Sequence, residues 1–214
     1  MLILASASKA RAGLLNQVGI PHRVMISGVN EEAFTNPDHI ELVLSLAHAK
    51  AERVSNSLKE SFLDHFENTN ESYPILGCDS VFEFQGEIFG KPRNLKEAFY
   101  RLQKMSSKSG WIHTGHALLY KKSLLDKKNQ FESEEKILKV ISTRIYFSEF
   151  TSDQILEYVN TGEPMKSAGG FAIEGKGASL IKGIDGCFSN VIGLSLPWLV
   201  GTLSNSGLHN LIGY

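Results

Sequence analysis

The stretch Leu2 to Leu15, LILASASKARAGLL, decides how the chain is read. Four apolar residues, Leu2 to Ala5, have the composition of a buried strand and stop at Ser6. Ser8, Lys9 and Arg11 follow, and Leu14, Leu15 and Val18 then recur at helical spacing until Gly19, with Arg11 on their side of the helix. A strand that passes through small hydroxyl residues into a helix turns backbone N–H groups and the positive end of the helix dipole toward an anion. Ser6, Ser8, Lys9 and Arg11 suit phosphate oxygens on that reading. A plainer reading fits the same residues: Ser8 N-caps a surface helix and the cations are solvated.

Beyond Gly19, HRVMISG (22–28) reads as a second strand, and the loop GVNEEAFTN leads to Asn36-Pro37, expected as N-cap and first helical position. Ile40, Val43, Leu44, Ala47, Ala51 and Val54 mark one face of a long amphipathic helix. Residues 56–74 are polar and read as a surface extension or insertion. PILGCDSVFEF, Gln85-Gly86 and EIFG predict a strand with a tight hairpin return. Asn94 and Glu97 form a capping signature before a helix with Leu95, Ala98, Leu102 and Met105 inward. WIHTGHALLY and ILKVISTRIYF read as strands joined by a charged connector at 121–136, a solvated hairpin excursion or a disordered tip. Thr151 and Gln154 cap a helix through Ile155, Leu156 and Val159 that Gly162 ends. After the glycine-rich GGFAIEGKGAS, short strands are expected around SLIKGI and SNVIG, then a helix bearing Leu196, Leu199, Val200 and Leu203. Strands and helices mix without strict alternation, so the fold class is α/β or α+β with a twisted mixed sheet.

Composition narrows the function classes. The 214 residues carry 22 Lys and Arg against 23 Asp and Glu, a net charge of −1, so no global basic field gathers nucleic acid or an acidic membrane. No basic, aromatic-studded strand face is legible either, which argues against a nucleic-acid partner. MLILA is too short for a signal peptide core, and no stretch approaches the roughly 18 apolar residues of a membrane span. Cys78 and Cys187 have no metal-ligand spacing and fit two reduced, buried thiols in a cytoplasmic protein.

The second cluster is GCDSV (77–81), where Asp79 interrupts a buried strand pattern. A carboxylate there needs a metal, a cation or several hydrogen bonds to offset its burial; a strand-end carboxylate capping a turn is the simpler alternative. Lys91 stands in the restricted turn Gly90-Lys91-Pro92, from which it can reach a phosphate. Lys50 borders the apolar helix face beside Ala47 and Ala51, either as a functional cation or with its charged end reaching back to solvent. Glu31 and Glu32 add loop carboxylates that, with Asp79, suit Mg²⁺ or Mn²⁺ with phosphates and waters completing the shell; adjacent loop acids are otherwise simply solvated. Gly170 to Gly177 fails as a P-loop because Gly177 stands where a Ser or Thr hydroxyl is needed and a strand is expected next. His113 and His116 point to opposite faces of a strand and make no metal pair.

Taken together, LILASASKARAGLL, GVNEE, AHAKA, GCDSV, GEIFGKP, HTGHALL, EYVNTGEPMKSAGGFAIEGKGASLI and SNVIGLSLP resemble, in order along nearly the whole chain, the Maf family of nucleoside triphosphate pyrophosphatases, also called septum formation inhibitor Maf-like proteins. The resemblance implies a single domain over residues 1–214, with two lobes around a substrate cleft and a fold related to inosine triphosphate pyrophosphatases. It implies a divalent cation (Mg²⁺, Mn²⁺ or Co²⁺) and cleavage of the α–β phosphoanhydride of a nucleoside triphosphate into a monophosphate and pyrophosphate, in nucleotide-pool sanitation. Asp79 matches the family's proton acceptor, Glu31 an acidic position that with Asp79 would hold metal, Lys50 and Lys91 basic pocket positions, and Ser6, Ser8 and Arg11 the phosphate-binding motif. The family's septum-related name allows a second function, a nucleotide-binding regulator of cell division with little catalysis. A homodimer is the prior expectation for assembly.

The departures bear on the base. Family members commonly have Ser-Pro-Arg-Arg where this chain has Ser8-Lys9-Ala10-Arg11. The branch acting on dTTP and UTP has Thr and Gln where Ser80 and Glu174 stand. Glu174 is similar to the branch preferring 7-methyl-GTP, which has Trp at Ala10 and Gln at Ser80, so the chain matches neither pattern in full.

Overall fold

In the computed structural model, which describes residues 1–65, 73–125 and 130–212, the opening stretch is a strand, β1 (Leu2–Leu4), and a helix, α1 (Lys9–Gln17). Ser8 is extended (φ −72°, ψ 115°) and its hydroxyl accepts the Arg11 N–H at 3.3 Å, so the N-cap expectation holds. Gly19 follows the helix end with φ 66°, a left-handed conformation that costs glycine little. The second strand, β2 (His22–Val24), is shorter than expected.

The long helix, α2 (His39–His65), begins later than Asn36-Pro37. Its N-terminal N–H groups are satisfied by Asp38, whose Oδ1 accepts from Ile40 N at 2.8 Å and Glu41 N at 3.3 Å, while Asn36 closes the preceding turn onto Asp38 N at 2.9 Å. The helix also continues through 56–65, expected as a surface extension. Those residues contain no Gly or Pro, and Leu58 packs on the same core as Val54. Residues 66–72 of that expected extension lie outside the described residues.

Then come β3 (Ile75–Phe84) and β4 (Glu87–Phe89), joined through Gln85 and Gly86, both at positive φ (53° and 82°), the turn whose twist suits a two-residue hairpin. The next helix, α3 (Leu95–Met105), is capped by Asn94 as expected, but Glu97 returns to Arg93 N (2.8 Å) rather than to its cap residue. Leu95, read as inward, is 46% exposed at the first position of that helix. Strands β5 (Ser109–Leu125) and β6 (Gln130–Phe147) extend into most of the connector expected to be a solvated hairpin excursion; 126–129 lie outside the described residues. The Thr151–Gln154 box caps α4 (Ser152–Asn160), though Leu156 faces solvent. After β7 (Ile181–Asp185), the segment SNVIG forms a short helix, α5 (Phe188–Ile192), where a strand was expected. An apolar run that short does not distinguish the two by period, and Gly193 at φ 114° closes it. The last helix is α6 (Leu196–Asn205).

The strands form a seven-stranded sheet in the order β2-β1-β3-β5-β6-β7, with β4 paired to β3. β1 runs parallel to β2 and β3, whereas β3–β4 and β6–β7 are antiparallel, the mixed sheet that was expected. Among the described residues no helix is long and apolar enough to cross a membrane.

The chain divides into two compact units, and β3, β5 and β6 pass from one to the other. The first comprises Met1–Asp79, Gly115–Val140 and Leu196–Tyr214. Its core joins Ile3, Ala47, Ala51, Val54, Ile75 and Ala117. Helix α2 sits on the strands with no side chain between. A Cβ at Gly77 would strike the Ala47 carbonyl, and one at Gly115 the Val43 carbonyl. The second unit comprises Ser80–Thr114 and Ile141–Ser195. Phe82, Phe147 and Phe171 meet edge to face at 5.0–6.0 Å in its core.

Gly77→Ala forces α2 off its strand and is expected to cost about 1–3 kcal/mol. In thermal unfolding this reads as a midpoint lowered by several degrees, roughly 2–4 °C per kcal/mol for a chain of this size.

Candidate active site

In the first unit, the end of β1 and the start of α1 are tied to β3. Ser6 and Arg11 are both buried, and Arg11 Nη1 donates to Ser6 Oγ at 3.0 Å and to the Cys78 carbonyl at 2.8 Å. Ser6 Oγ also accepts from Ser8 N at 3.2 Å. Arg11 thus lies on the inward face of its helix because its guanidinium answers a strand carbonyl beside Asp79, and the solvated-cation alternative fails for it. Lys9 remains exposed.

Asp79 is buried, and its charge is answered by Lys50 from α2, whose Nζ lies 2.6 Å from Asp79 Oδ1. The same ammonium lies 2.6 Å from Glu31 Oε1, in the 3-10 turn Glu31–Ala33. Lys50 is itself buried, with a side chain only 9% exposed, so its charged end does not reach back to solvent. One buried cation therefore gathers two carboxylates, one from a strand and one from a loop. Glu32 is exposed and outside this trio. Among the described residues, no group of three or more His, Cys, Asp and Glu is arranged to hold a metal ion.

The second unit holds Ser80, Lys91 and Glu174. Ser80 Oγ is 2.9 Å from Thr114 Oγ1, and Thr114 donates in turn to the Asn190 carbonyl at 3.3 Å. Because that carbonyl takes the Thr114 proton, the Ser80 hydroxyl donates to Thr114. Asn190 is locked by its own amide, which donates to Ile141 O at 3.0 Å and Thr143 Oγ1 at 3.1 Å. Lys91 is exposed on a turn whose Gly90 carbonyl accepts from Arg101 Nη1 (2.6 Å) and from Gly169 N (3.3 Å). Glu174 stands at the surface of the glycine-rich loop, yet partial desolvation holds its carboxyl above the usual carboxylate range, with the nearby Glu163 charge acting the same way and its own backbone N–H opposing.

Thr114, Asn190, Arg101 and Glu163 were not singled out from the sequence. Thr114 lies between the histidines of HTGH on the strand face opposite His113, and only strand pairing reveals its partner. His113 and His116 do face opposite ways: His113 meets Ser142 (2.7 Å) and Glu83 (3.2 Å), whereas His116 packs on Trp198. In the rejected P-loop segment a 3-10 helix, Lys176–Leu180, precedes β7 where a strand was expected directly, and the N–H groups of Lys176 and Gly177 bind the protein's own Glu163 carboxylate.

An aromatic strand face, not legible in the sequence, does exist in the second unit. Trp111 and Tyr146 are 38% and 36% exposed, with the Arg144 guanidinium 5.7 and 5.2 Å from their ring centres. Cation and rings there are already paired with one another.

Both cysteines are free, but only Cys78 is fully buried; Cys187 is partly exposed, which corrects the expectation of two buried thiols. Burial pushes the Cys78 thiol up to about 11, against the lowering charges of Arg11 and Lys50. At Cys187 burial also pushes upward, but the hydroxyls of Ser189 and Ser195 and the N–H groups of Asn190 and Ser189 outweigh it and leave the thiol below its usual value.

A buried lysine–aspartate pair whose ammonium also holds an exposed glutamate, beside a strand-to-helix turn rich in hydroxyls and closed by a buried arginine, is the equipment of a phosphate-handling α/β protein. The sequence pattern of the Maf-like protein family matches residues 1–206, and the chain belongs to that family. It is 51% identical over 208 residues to a protein of a Prochlorococcus marinus strain, SARG, named nucleoside triphosphate pyrophosphatase, covering 97% of this chain and 98% of that one. Proteins of the same name in Parasynechococcus marenigrum (strain WH8102), 48% identical over 96% of each chain, and in Prochlorococcus marinus (strain NATL2A), 46% identical over 99% of each, are similar throughout.

The site's electrostatics can be tested on stability and on thiol reactivity. Lys50→Met leaves Asp79 facing Glu31 without a counter-charge and is expected to lower stability by about 3 kcal/mol in urea unfolding, more than Asp79→Asn, which leaves Lys50 its second carboxylate. A thiol probe at pH 8 on the folded protein is expected to label Cys187 and spare Cys78 until denaturant is added, as peptide mapping will read.

Proposed function

We propose that the protein hydrolyses nucleoside triphosphates at the α–β phosphoanhydride, releasing a nucleoside monophosphate and pyrophosphate, and so removes unwanted nucleotides from the pool. The observation that carries this is the buried Asp79 held by Lys50, which also holds Glu31. Burying that much charge is expensive for stability alone and is explained by work on a charged substrate. The relatives' shared name, over nearly their full lengths, supports the same activity.

Water attacks the α-phosphorus, a new P–O bond forms there, the bond from the α-phosphorus to the bridging oxygen breaks, and pyrophosphate leaves with that oxygen. Ser6, Ser8 and Arg11 bind phosphate oxygens in this reading, and Lys50 and Lys91 offset the charge that builds on the phosphate chain. Asp79 acts on the attacking water, as base or as cation ligand; a carboxylate that ligates a cation is the weaker base. Ser80 and Glu174 select the base. Glu31 and Asp79 together offer hard oxygen donors, few enough to suit a cation such as Mg²⁺, Mn²⁺ or Co²⁺ that completes its shell with substrate phosphates and waters. Bound there, it would neutralise phosphate charge and activate water. A homodimer in the cytoplasm, without nucleic-acid or membrane partners, belongs to the same reading.

The test is pyrophosphate release from standard, methylated and deaminated nucleoside triphosphates with each cation, beside Asp79→Asn and a chelator. Cation-dependent turnover is expected, lowered by about 10²–10⁴ in Asp79→Asn. Nucleotide binding without turnover on any base would replace the enzyme by a nucleotide-binding regulator.

A further inference from the structure

The carboxylate of Glu163 is solvated by the protein's own hydrogen-bond donors. Glu163 follows the left-handed Gly162 at the end of α4, and its own N–H is fixed by Thr161 Oγ1 at 3.1 Å. Its Oε1 accepts from the Tyr158 hydroxyl and from Gly177 N, both at 2.9 Å, and its Oε2 accepts from Lys176 N at 3.0 Å. The Tyr158 oxygen in turn accepts from Ala172 N at 3.2 Å. Each bond of the carboxylate leads, directly or through Tyr158, to the loop that carries Glu174: Ala172 lies two residues before it, Lys176 and Gly177 two and three after.

The glycines of that loop answer to the same carboxylate. A Cβ at Gly175 would strike the Glu163 carboxylate itself, and one at Gly177 would come within 2.7 Å of the Tyr158 hydroxyl and the Ala172 backbone. The loop is therefore wrapped on a fixed internal anion, as a phosphate would be held by successive N–H groups. Burial pushes the Glu163 carboxyl up, but the Gly177 and Lys176 N–H groups, the Tyr158 hydroxyl and the Lys176 charge pull it further down, so it is held as a carboxylate.

We propose that Glu163, with Tyr158, is the positioning residue of the base-selecting loop: it sets where Glu174 stands and acts on nucleotide choice through it. The proposal rests on the reading of Glu174 as a base-selecting side chain. It assigns a role to two residues outside the phosphate and metal machinery, and it explains why the segment is rich in glycine without being a phosphate loop.

The experiment compares the wild type with Glu163→Gln, Tyr158→Phe, Glu174→Ala and the double variant Glu163→Gln/Glu174→Ala. The probes are GTP and UTP, with KM and kcat measured for each and binding measured calorimetrically so that the comparison does not depend on turnover. Glu163→Gln replaces an acceptor of N–H groups by an amide that donates, and the GTP/UTP discrimination is expected to change by about tenfold, in KM and binding rather than in kcat. Tyr158→Phe moves it the same way by less, and it carries the test, in the same double-variant comparison, if Glu163→Gln does not fold. In the Glu174→Ala background neither substitution changes discrimination further, because the side chain it positions is gone. Equal loss of kcat on both nucleotides, or an effect that adds in full to that of Glu174→Ala, would overturn the proposal. If Glu174→Ala alone leaves discrimination unchanged, the base-selecting reading itself falls, and that outcome is distinct from a failure at Glu163.

Discussion

Helix α2 lies on its strands at glycine distance, and the site depends on that contact. Gly77 and Gly115 have no side chain because the carbonyls of Ala47 and Val43 occupy the space. Lys50 stands one turn beyond Ala47 on that helix, and Asp79 two residues beyond Gly77 on the strand, so the contact that excludes a Cβ also brings Nζ to 2.6 Å from the carboxylate. Packing and charge reinforce each other here: a bulkier strand residue would separate the ion pair, and an unpaired Asp79 would have no reason to be buried.

The same economy appears at other enclosed polar groups. Arg11 is tolerated inside because the Cys78 carbonyl and Ser6 accept from it, and Ser80 because Thr114 and Asn190 complete its hydrogen-bond chain. Glu163 organises the glycine-rich loop as an internal anion. In each case a backbone group is one of the partners, so the chemistry-bearing side chains are aligned by main-chain hydrogen bonds that rotamer changes do not easily undo.

Chain order distributes these tasks. Asp79 ends the first unit's share of β3 and Ser80 opens the second's, so the residue assigned to the attacking water and a residue assigned to the base are neighbours in sequence. The exposed Trp111, Arg144 and Tyr146 do not alter the functional reading, since Arg144 already lies over both rings and the chain's net charge is −1. At the two proposed specificity positions, Ser80 and Glu174, the chain shares its pattern in full with neither branch, and the hydrogen-bond chain behind Ser80 shows how a short hydroxyl is held there.

By itself the sequence determined the strand-to-helix turn at Ser6–Arg11, the hairpin at Gln85-Gly86, the caps at Ser8, Asn94 and Thr151, and the family, because each is written in local residue chemistry or ordered motifs. It placed the start of α2 two residues early, since Asn36 and Asp38 are both good caps and only the hydrogen bonds choose between them. It read SNVIG as a strand and 56–65 as a surface extension, because short or polar segments take their structure from what they pack against. Which charges meet was decided by the tertiary structure alone: Glu31, Lys50 and Asp79 are 19 and 29 residues apart along the chain, and Thr114 and Glu163 gained their roles from partners that no local pattern announces. Local rules set the backbone of each element; long-range packing decides which side chains share a buried space, and electrostatics then has only those neighbours with which to settle the charges.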